Sequence, residues 1–570
     1  MKDKDTIISR IRDAENWRDV NYRADWEKDL RLYRFKLETE RVGANIFVPY
    51  IFMMCETVKS RLAESLFDRR PYLTINPLGV SLEQSDKVQA LLDWQFCERM
   101  DLPKIYSEEV VHNLCVLGTA IQFVGWERKT RKTKRMSQVD ELVSFGGQPL
   151  LDETGMPISM PSRVEEEYEK VEYDDPIVSD IDIFDFFVDP SAVDIPSARF
   201  CGHMEYKTKS ELKNLEETDN YKIDWKKLNP ASEIEGGMKS RMETESKSNE
   251  SLENTNGLYL VHHYWEDNRH VVVVNRQEIV LDEPNPFWHG MKPYDKCCYV
   301  YLPHQFYGIG IPRIAEGLQE ELNTTRNQRV DYATFAIRRM WKARKGSGLT
   351  EEDLVWENGR VVWLDQMDDI MEINVNDLPA SIFTNEATIK QDMRDATGCH
   401  DILMGLADAN ETATTTMTKD TNASVRFKYV VNNIVKDLLI PLGKKCLSLN
   451  QQFMTEERQL HPAHSDKDEL LTISPFEIDG DYDIMFSGSA VDPAANKELQ
   501  KQRMIEAYNI VANDPLYQQD FNAKRAIIKQ LFEALEVKDV EALLPTEPTQ
   551  IQGSPVEGMI PLPTEAQQAF

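Results

Sequence analysis

The spacing of apolar and polar residues divides this chain into stretches with two distinct periods. From 13 to 41, Trp17, Trp26, Leu30, Tyr33 and Leu37 recur at mostly three-to-four spacing, which predicts a helix with one buried face. NIFVPYIFMMCETVKSRLAESLF predicts a second helix, beginning near Pro49 and ending before Arg70-Pro71, because the residue ahead of a proline disfavours helix. YLTINPL reads as a strand. Helical period returns over 82–117 in Val88, Leu91, Leu92 and Phe96, then Val110, Val111 and Leu114, with a break near Pro103 and a stop at Gly118. TAIQFVGWE then alternates as a strand does.

Between Glu127 and Pro176 the arms WERKTRKTKR and SRVEEEYEKVEYDDP carry opposite charges, so a long hairpin is expected, since opposite charges across strands favour pairing. A solvated hairpin is preferred over a basic arm that touches DNA or a partner. DIDIFDFFVDPSA spaces Asp180, Asp182, Asp185 and Asp189 as a two-metal nuclease would. Phe184, Phe186, Phe187 and Val188 instead make it a buried strand entering a turn at Asp189-Pro190, with no nearby Lys or His to complete a catalytic set. Residues 232–257 are polar and read as a mobile loop. LYLVHHYW and HVVVVNRQEIVL form a hairpin across EDNR.

A long helix follows Phe306, with Ile314, Leu318, Leu322, Thr325, Arg329, Tyr332, Ala336 and Met340 on one stripe. The stripe is too polar for a deep core, and with Asn323 and Asn327 beside it suits a helix packed against copies of itself around water. Its end concentrates Arg338, Arg339, Lys342, Arg344 and Lys345, which complement the negative helix terminus or face phosphates. VVWL (361–364) and MEINVN (371–376) read as short strands that pair with another subunit. ETATTTMTKD places Thr412, Thr414, Thr415, Thr416 and Thr418 in a mobile loop without large anchors. A last long helix carries Phe427, Val430, Ile434, Leu438, Leu442, Leu449 and Phe453 on one stripe with Pro441 inside it, where a kink is expected. Residues 494–544 have helical period, and 545–570 is a Pro- and Gly-containing tail expected to be disordered.

Composition narrows the classes. A chain of 570 residues exceeds what one core usually organises. The 41% apolar and 29% charged content fits a protein with extensive wetted surface. The longest apolar run, 46–55, is far short of the roughly 20 residues a bilayer demands, and the charged N-terminus does not resemble a signal peptide. No membrane association is therefore expected, and the protein is expected to stay in the cytoplasm when made. Eight cysteines without CxxC spacing read as reduced core thiols. His262 and His263, adjacent on a strand, face opposite sides and do not share a metal. No catalytic residue, metal site or cofactor is expected. A net charge of −31 opposes tight binding to phosphates, though a negative wall keeps a sliding duplex from sticking.

VHNLCVLGTAIQFVGWE, DIFDFFVDP, FYGIGIPRIAEGLQEELNTTRNQRVD, ATGCHDILMG and ETATTTMTKDTNASVRF, in this order, resemble the portal proteins of tailed bacteriophages, most closely those of short-tailed and related phages. The resemblance spans roughly 40–455. It implies an α+β, mostly helical fold with wing, stem, clip and crown regions, assembled as a ring of usually twelve copies about a channel. It maps 1–312 to a wing region with β-rich insertions, 313–341 and 380–398 to stem helices, and 342–379 to the clip. It further maps 399–418 to a tunnel loop, 419–493 to the kinked wing helix and following strands, 494–544 to the crown and 545–570 to a tail. The implied partners are further copies of the chain, the terminase large subunit, head–tail adaptor and tail proteins, major capsid and scaffold proteins, and double-stranded DNA. The implied place is one capsid vertex of the virion, after assembly in the host cytoplasm. Arg338, Arg339, Lys342, Arg344 and Lys345 are then candidates to meet DNA or the tail adaptor. A packaging ATPase or nuclease is disfavoured because GxxxxGK[ST] is absent: Gly443-Lys444-Lys445 lacks both the hydroxyl residue and the preceding glycine. A capsid or scaffold subunit without a channel is the remaining alternative.

Overall fold

The computed structural model describes residues 2–36, 43–68, 70–142, 159–218, 221–231, 234–245, 257–337, 341–346, 366–373, 381–399, 425–460 and 471–486. Short pieces lie between 144 and 149 and between 350 and 364, and the backbone alone is described over 135–166 and 241–245. The chain divides into two compact units, Met1–Val491 and Asp492–Phe570, and the fold described below is that of the first.

The first unit opens with α1 (Lys2–Arg18), a wide π turn at Asp19–Arg23 and α2 (Ala24–Tyr33). The helix expected over 13–41 thus begins earlier and ends sooner. Ile7, Ile8, Ile11 and Ala14 were hidden among charges in the sequence, yet they bury against Phe187, Phe200, Tyr264, Val271 and Val273. α3 (Tyr50–Phe67) and β1 (Leu73–Leu78) follow. α4 (Leu82–Trp94) starts at a capping box in which Ser81 and Gln84 satisfy each other's backbone donors. It runs through a π turn into α5 (Leu102–Ile105), a further π turn and α6 (Val111–Leu117).

Gly118 ends α6 in the left-handed region, at φ +79, and its ideal Cβ would lie 2.3 Å from the Ile309 carbonyl carbon. Gly310 faces it, with a Cβ that would stand 2.5 Å from the Val116 oxygen. The FYGIGIP segment is glycine-rich because two backbones meet there.

β2 (Thr119–Leu142), β3 (Ser144–Phe145), β4 (Gln148–Pro149) and β5 (Ser159–Asp180) build the long hairpin, with β2 and β5 paired from Gln122↔Asp180 to Leu142↔Ser159. Opposite charges meet across it, as at Lys134–Glu167 (3.6 Å) and Arg131–Glu172 (3.4 Å). β6 (Phe186–Val188), β7 (Cys201–Lys207), β8 (Tyr259–Glu266), β9 (Arg269–Val274) and β10 (Glu278–Pro284) form an antiparallel sheet in the order β10-β9-β8-β7-β6. α7 (Lys209–Thr218) and α8 (Gly236–Glu245) lie between β7 and β8. Part of the expected loop over 232–257 is therefore helical. Its low apolar content concealed that helix. β11 (Tyr294–Cys298) completes a small sheet with β2 and β5.

α9 (Ile311–Ile337) is the longest helix described. β12 (Trp341–Ala343) pairs antiparallel with β13 (Ile370–Glu372), and α10 (Ser381–Thr397) returns alongside α9. Helix α11 (425–434) continues through a π turn at Val435–Leu439 into α12 (Ile440–Phe453). β14 (Arg458–Leu460) pairs with β15 (Leu471–Ile473), and β16 (Asp481–Phe486) pairs with β1 across the length of the unit's sequence. The main core joins α3, α4, α6, α9 and α12 to β2 and β11 through residues such as Ile51, Leu62, Phe96, Leu114, Ile121, Tyr294, Leu322, Leu438 and Leu449. The fold is α+β.

Candidate functional site

α9 and α10 form an antiparallel arm with the β12–β13 ribbon at its far end. One polar face of α9, beside the stripe read in the sequence, is engaged inside the chain. Gln319, Asn323, Asn327 and Asp331, four residues apart, lie on one helix face and grip the extended segment 44–48 and the first turn of α3. Asp331 Oδ1 accepts from Ala44 N (2.6 Å), Asn327 Oδ1 from Ile46 N (2.7 Å) and Asn323 Oδ1 from Val48 N (2.9 Å). Asn327 Nδ2 donates to Ile46 O (3.0 Å), and Gln319 Nε2 to Val48 O (2.7 Å). Asn323 and Asn327, expected to suit packing against other copies, are engaged within the chain by part-buried backbone groups of Ile46 and Val48. Arg329, on another side of α9, joins Arg326 in holding Glu386 of α10, with Lys390 Nζ 3.1 Å from the same carboxylate. Burial pushes the Glu386 carboxyl up, but Lys390 and the two guanidiniums outweigh it and hold it down.

At the tip, Lys342 sits in β12 opposite Met371, and both Lys342 and Lys345 are exposed. Arg344 is exposed but engaged: its Nη1 donates to Gln366 Oε1 (2.9 Å), and its Nε lies 3.5 Å from Asp369 Oδ1. Arg338 and Arg339 lie outside the described residues, as do Thr412, Thr414, Thr415, Thr416 and Thr418. The expected strand at 361–364 is not one: those residues have no ladder partner. Met371 and Glu372 do lie in a strand, but they pair with β12 of the same chain, because the antiparallel arm brings its own two ends together. The arm exposes Phe335, Ile337, Val361, Trp363 and Met371, with Ile337 at 80% and Trp363 at 88% accessibility.

Ahead of Pro441 the helix 425–453 widens into a π turn and then continues. The π turn at Val435–Leu439 precedes the proline, which takes the second position of α12. Leu438 O accepts from Gln122 Nε2 at 3.1 Å, which ties the widened turn to β2. Asp437 Oδ2 accepts from Tyr301 Oη at 2.5 Å beside it.

Elsewhere the structure gathers titratable groups that the sequence keeps apart. A cleft of about 500 Å³ is lined by Glu108, Glu109, Asp180, Asp182, Asp185 and Glu205, with His112, Asn113 and His203. Asp189, the fourth aspartate of DIDIFDFFVDP, instead caps its turn, accepting from Ser191 N (3.0 Å) and Oγ (2.9 Å). His262 and His263 do face opposite ways, His262 to Glu15 and His263 to Glu205. What sequence reading missed is that β7 sets His203 directly opposite His263. The available signal was the HxE spacing of His203 and Glu205, which puts both on one strand face.

The described residues of the arm offer two paired helices, a small ribbon and exposed apolar side chains, and a family match assigns the chain to a structural class of protein. A family model described as phage SU10 portal protein matches residues 4–569, and the chain belongs to that family. Its function is that of a phage portal, a structural part of the virion's head–tail connection. No curated protein matches the chain.

Proposed function

We propose that twelve copies of this chain close into a ring at one capsid vertex. Its channel passes double-stranded DNA inward during packaging and outward at ejection. In this reading α9 and α10 are the stem, the β12–β13 ribbon belongs to the clip, 399–418 is the tunnel loop, and the helix 425–453 with its Pro441 turn belongs to the wing. Residues 494–544 form the crown. The ring receives the terminase motor first and the tail adaptor afterwards, and major capsid and scaffold proteins surround it during assembly in the host cytoplasm. Lys342 and Lys345, exposed at the ribbon, meet DNA or the adaptor, whereas Arg344 is already shared with Gln366 and Asp369. The chain performs no bond-making chemistry in this role.

The observation that carries the reading is the apolar exposure of the arm. Large side chains such as Ile337 and Trp363, open to water in one subunit, are the pattern of an assembly surface. A closed ring buries such surface in a repeated head-to-tail contact. A dozen copies at −31 each also give a wall that repels the duplex overall.

The test is electron microscopy of the purified chain, with class averages viewed down the particle axis, alone and with scaffold and capsid proteins. Rings of about twelve subunits with an open centre are expected. The double variant Ile337→Ser, Trp363→Ser should retain its circular dichroism and lose rings. Monomers in every mixture would overturn the ring, and rings undiminished in the variant would remove the arm's apolar surface as its cause.

A further inference from the structure

On the five-stranded sheet, His203 and Glu205 of β7 project from one face, and His263 of β8 stands opposite His203 in the ladder. One ring nitrogen of each histidine and one oxygen of Glu205 lie within 4.8 Å of one another. The two imidazoles are nearly parallel, their centroids 4.9 Å apart and their planes at 12°. His263 Nε2 already points at Glu205 Oε1, 2.8 Å away.

The remaining nitrogens are held from behind. His203 Nδ1 shares a 2.6 Å hydrogen bond with Tyr294 Oη. His263 Nδ1 lies 3.5 Å from His270 Nε2, and His270 Nδ1 lies 3.2 Å from Glu283 Oε1. The His270 ring is stacked on Trp265 at 3.9 Å. Metal-binding histidines are typically oriented in this way, with the second ring nitrogen engaged by an outer partner that fixes the ring and raises its basicity.

We propose that His203, Glu205 and His263 form a binding site for one divalent transition-metal ion of the zinc type, with solvent completing its coordination. Two imidazoles and a carboxylate suit a borderline ion of that kind. Donor atoms on one zinc stand about 3.3 Å apart, given bonds of roughly 2.0–2.1 Å, and these three already lie within 4.8 Å of one another.

The surroundings favour a cation. The cleft that His203 and Glu205 line also contains Glu108, Glu109, Asp180, Asp182 and Asp185. Asp180 Oδ2 accepts from Asn113 Nδ2 at 2.5 Å, while its Oδ1 is buried without a hydrogen-bond partner. Burial, with Asp182 and Glu109 adding to it, pushes the Asp180 carboxyl well above its ordinary range, a sign that positive charge is short in this cleft. The competitor is Lys207, whose Nζ lies 2.8 Å from Glu205 Oε1. A bound ion would displace that ammonium and pin β7 to β8 at the rim of a cleft walled on its other side by residues 108–113. The site goes beyond the portal reading and does not depend on it.

The experiment titrates the full chain, stripped with chelator, with Co²⁺ and follows the visible d–d absorption, then displaces the ion with Zn²⁺. One ion per chain is expected. His263→Gln and Glu205→Gln should each weaken binding at least tenfold, with unchanged circular dichroism as the control for folding. Tyr294→Phe, which removes the hydroxyl behind His203, should weaken it about tenfold. Lys207→Met should tighten binding, whereas a purely structural Glu205–Lys207–His263 cluster would only lose stability. Absence of the absorption band, or equal affinity in the parent, His263→Gln and Glu205→Gln, would overturn the site.

Discussion

Replacing Glu15 by Gln tests what holds the first helix to the five-stranded sheet. Glu15 is 6% accessible. Its Oε1 lies 3.0 Å from His262 Nε2 and its Oε2 accepts from Arg276 Nε at 2.9 Å, while Arg276 Nη2 continues to Glu235 Oε2 at 2.6 Å. Burial alone would push this carboxyl up, but His262 and then Arg276 outweigh it and bring it down to about 2. Against an ordinary value of 4.5, that difference is worth about 3 kcal/mol at 1.36 kcal/mol per unit. The figure agrees with the roughly 3–5 kcal/mol lost when one member of a buried ion pair is removed. Because the folded pKa is the lower one, the contribution is complete above the unfolded value, near pH 4.5, and is lost as pH falls towards 2. Hydrogen exchange of the amides between Ile7 and Ala14 reads it directly, since local opening of α1 exposes them. At pH 7 the variant should exchange on the order of a hundredfold faster than the parent there, from the same 1.36 kcal/mol per decade. That ratio should shrink as pH falls below about 4.5. A ratio near one at pH 7, or a ratio that does not change with pH, would refute the argument.

Two further outcomes follow from the packing. Gly310→Ala should prevent stable folding, seen as loss of a cooperative melt, because its Cβ would meet the Val116 oxygen at 2.5 Å. Gly317→Ala, within α9 and with nothing inside 4 Å of its Cβ, should stabilise by about 1 kcal/mol through helix propensity. Asp29 is buried, its Oδ1 has no partner, and burial, despite nearby Arg313, pushes it up to about 7. Its folded pKa exceeds the unfolded 3.8, so ionisation costs stability as pH rises through that window. Asp29→Asn should therefore raise the melting temperature at pH 8 and leave it nearly unchanged at pH 3.5; an equal shift at both would count against a buried charge.

Elements whose period matched their burial were legible in the sequence. α3 begins beside Pro49 and stops before Arg70-Pro71, and the β2–β5 hairpin follows its opposed charges. α1 was not legible, because its four buried residues alternate with Lys, Asp and Arg and only the partner sheet reveals which face matters. The 435–441 turn was half legible: proline signals a disturbance, but the widened turn ahead of it and its tie to Gln122, far away in sequence, leave no local mark. The amides beside the stripe on α9 were ambiguous for a related reason. An amide cannot announce whether it serves solvent, a neighbouring copy or its own chain. His203 and His263 are 60 residues apart and meet through strand register, which no local spacing records.

The ladder between α9 and segment 44–51 works as a vernier. Successive rungs on the helix are four residues apart, about 6.0 Å along its axis, while alternate residues of an extended chain advance by about 6.6 Å. The two scales nearly coincide, so Asp331, Asn327 and Asn323 meet residues 44, 46 and 48 in turn. Each rung adds about 0.6 Å of drift, so the match survives only a few steps. The fourth rung already falls out of step: Gln319 reaches residue 51, not 50, through a 3.3 Å contact, just as the chain turns into α3. Since the grip is on backbone atoms, it asks nothing of the side chains at 44 and 46, while Val48 also packs against the main core, and the length of the attachment is set by two mismatched rulers.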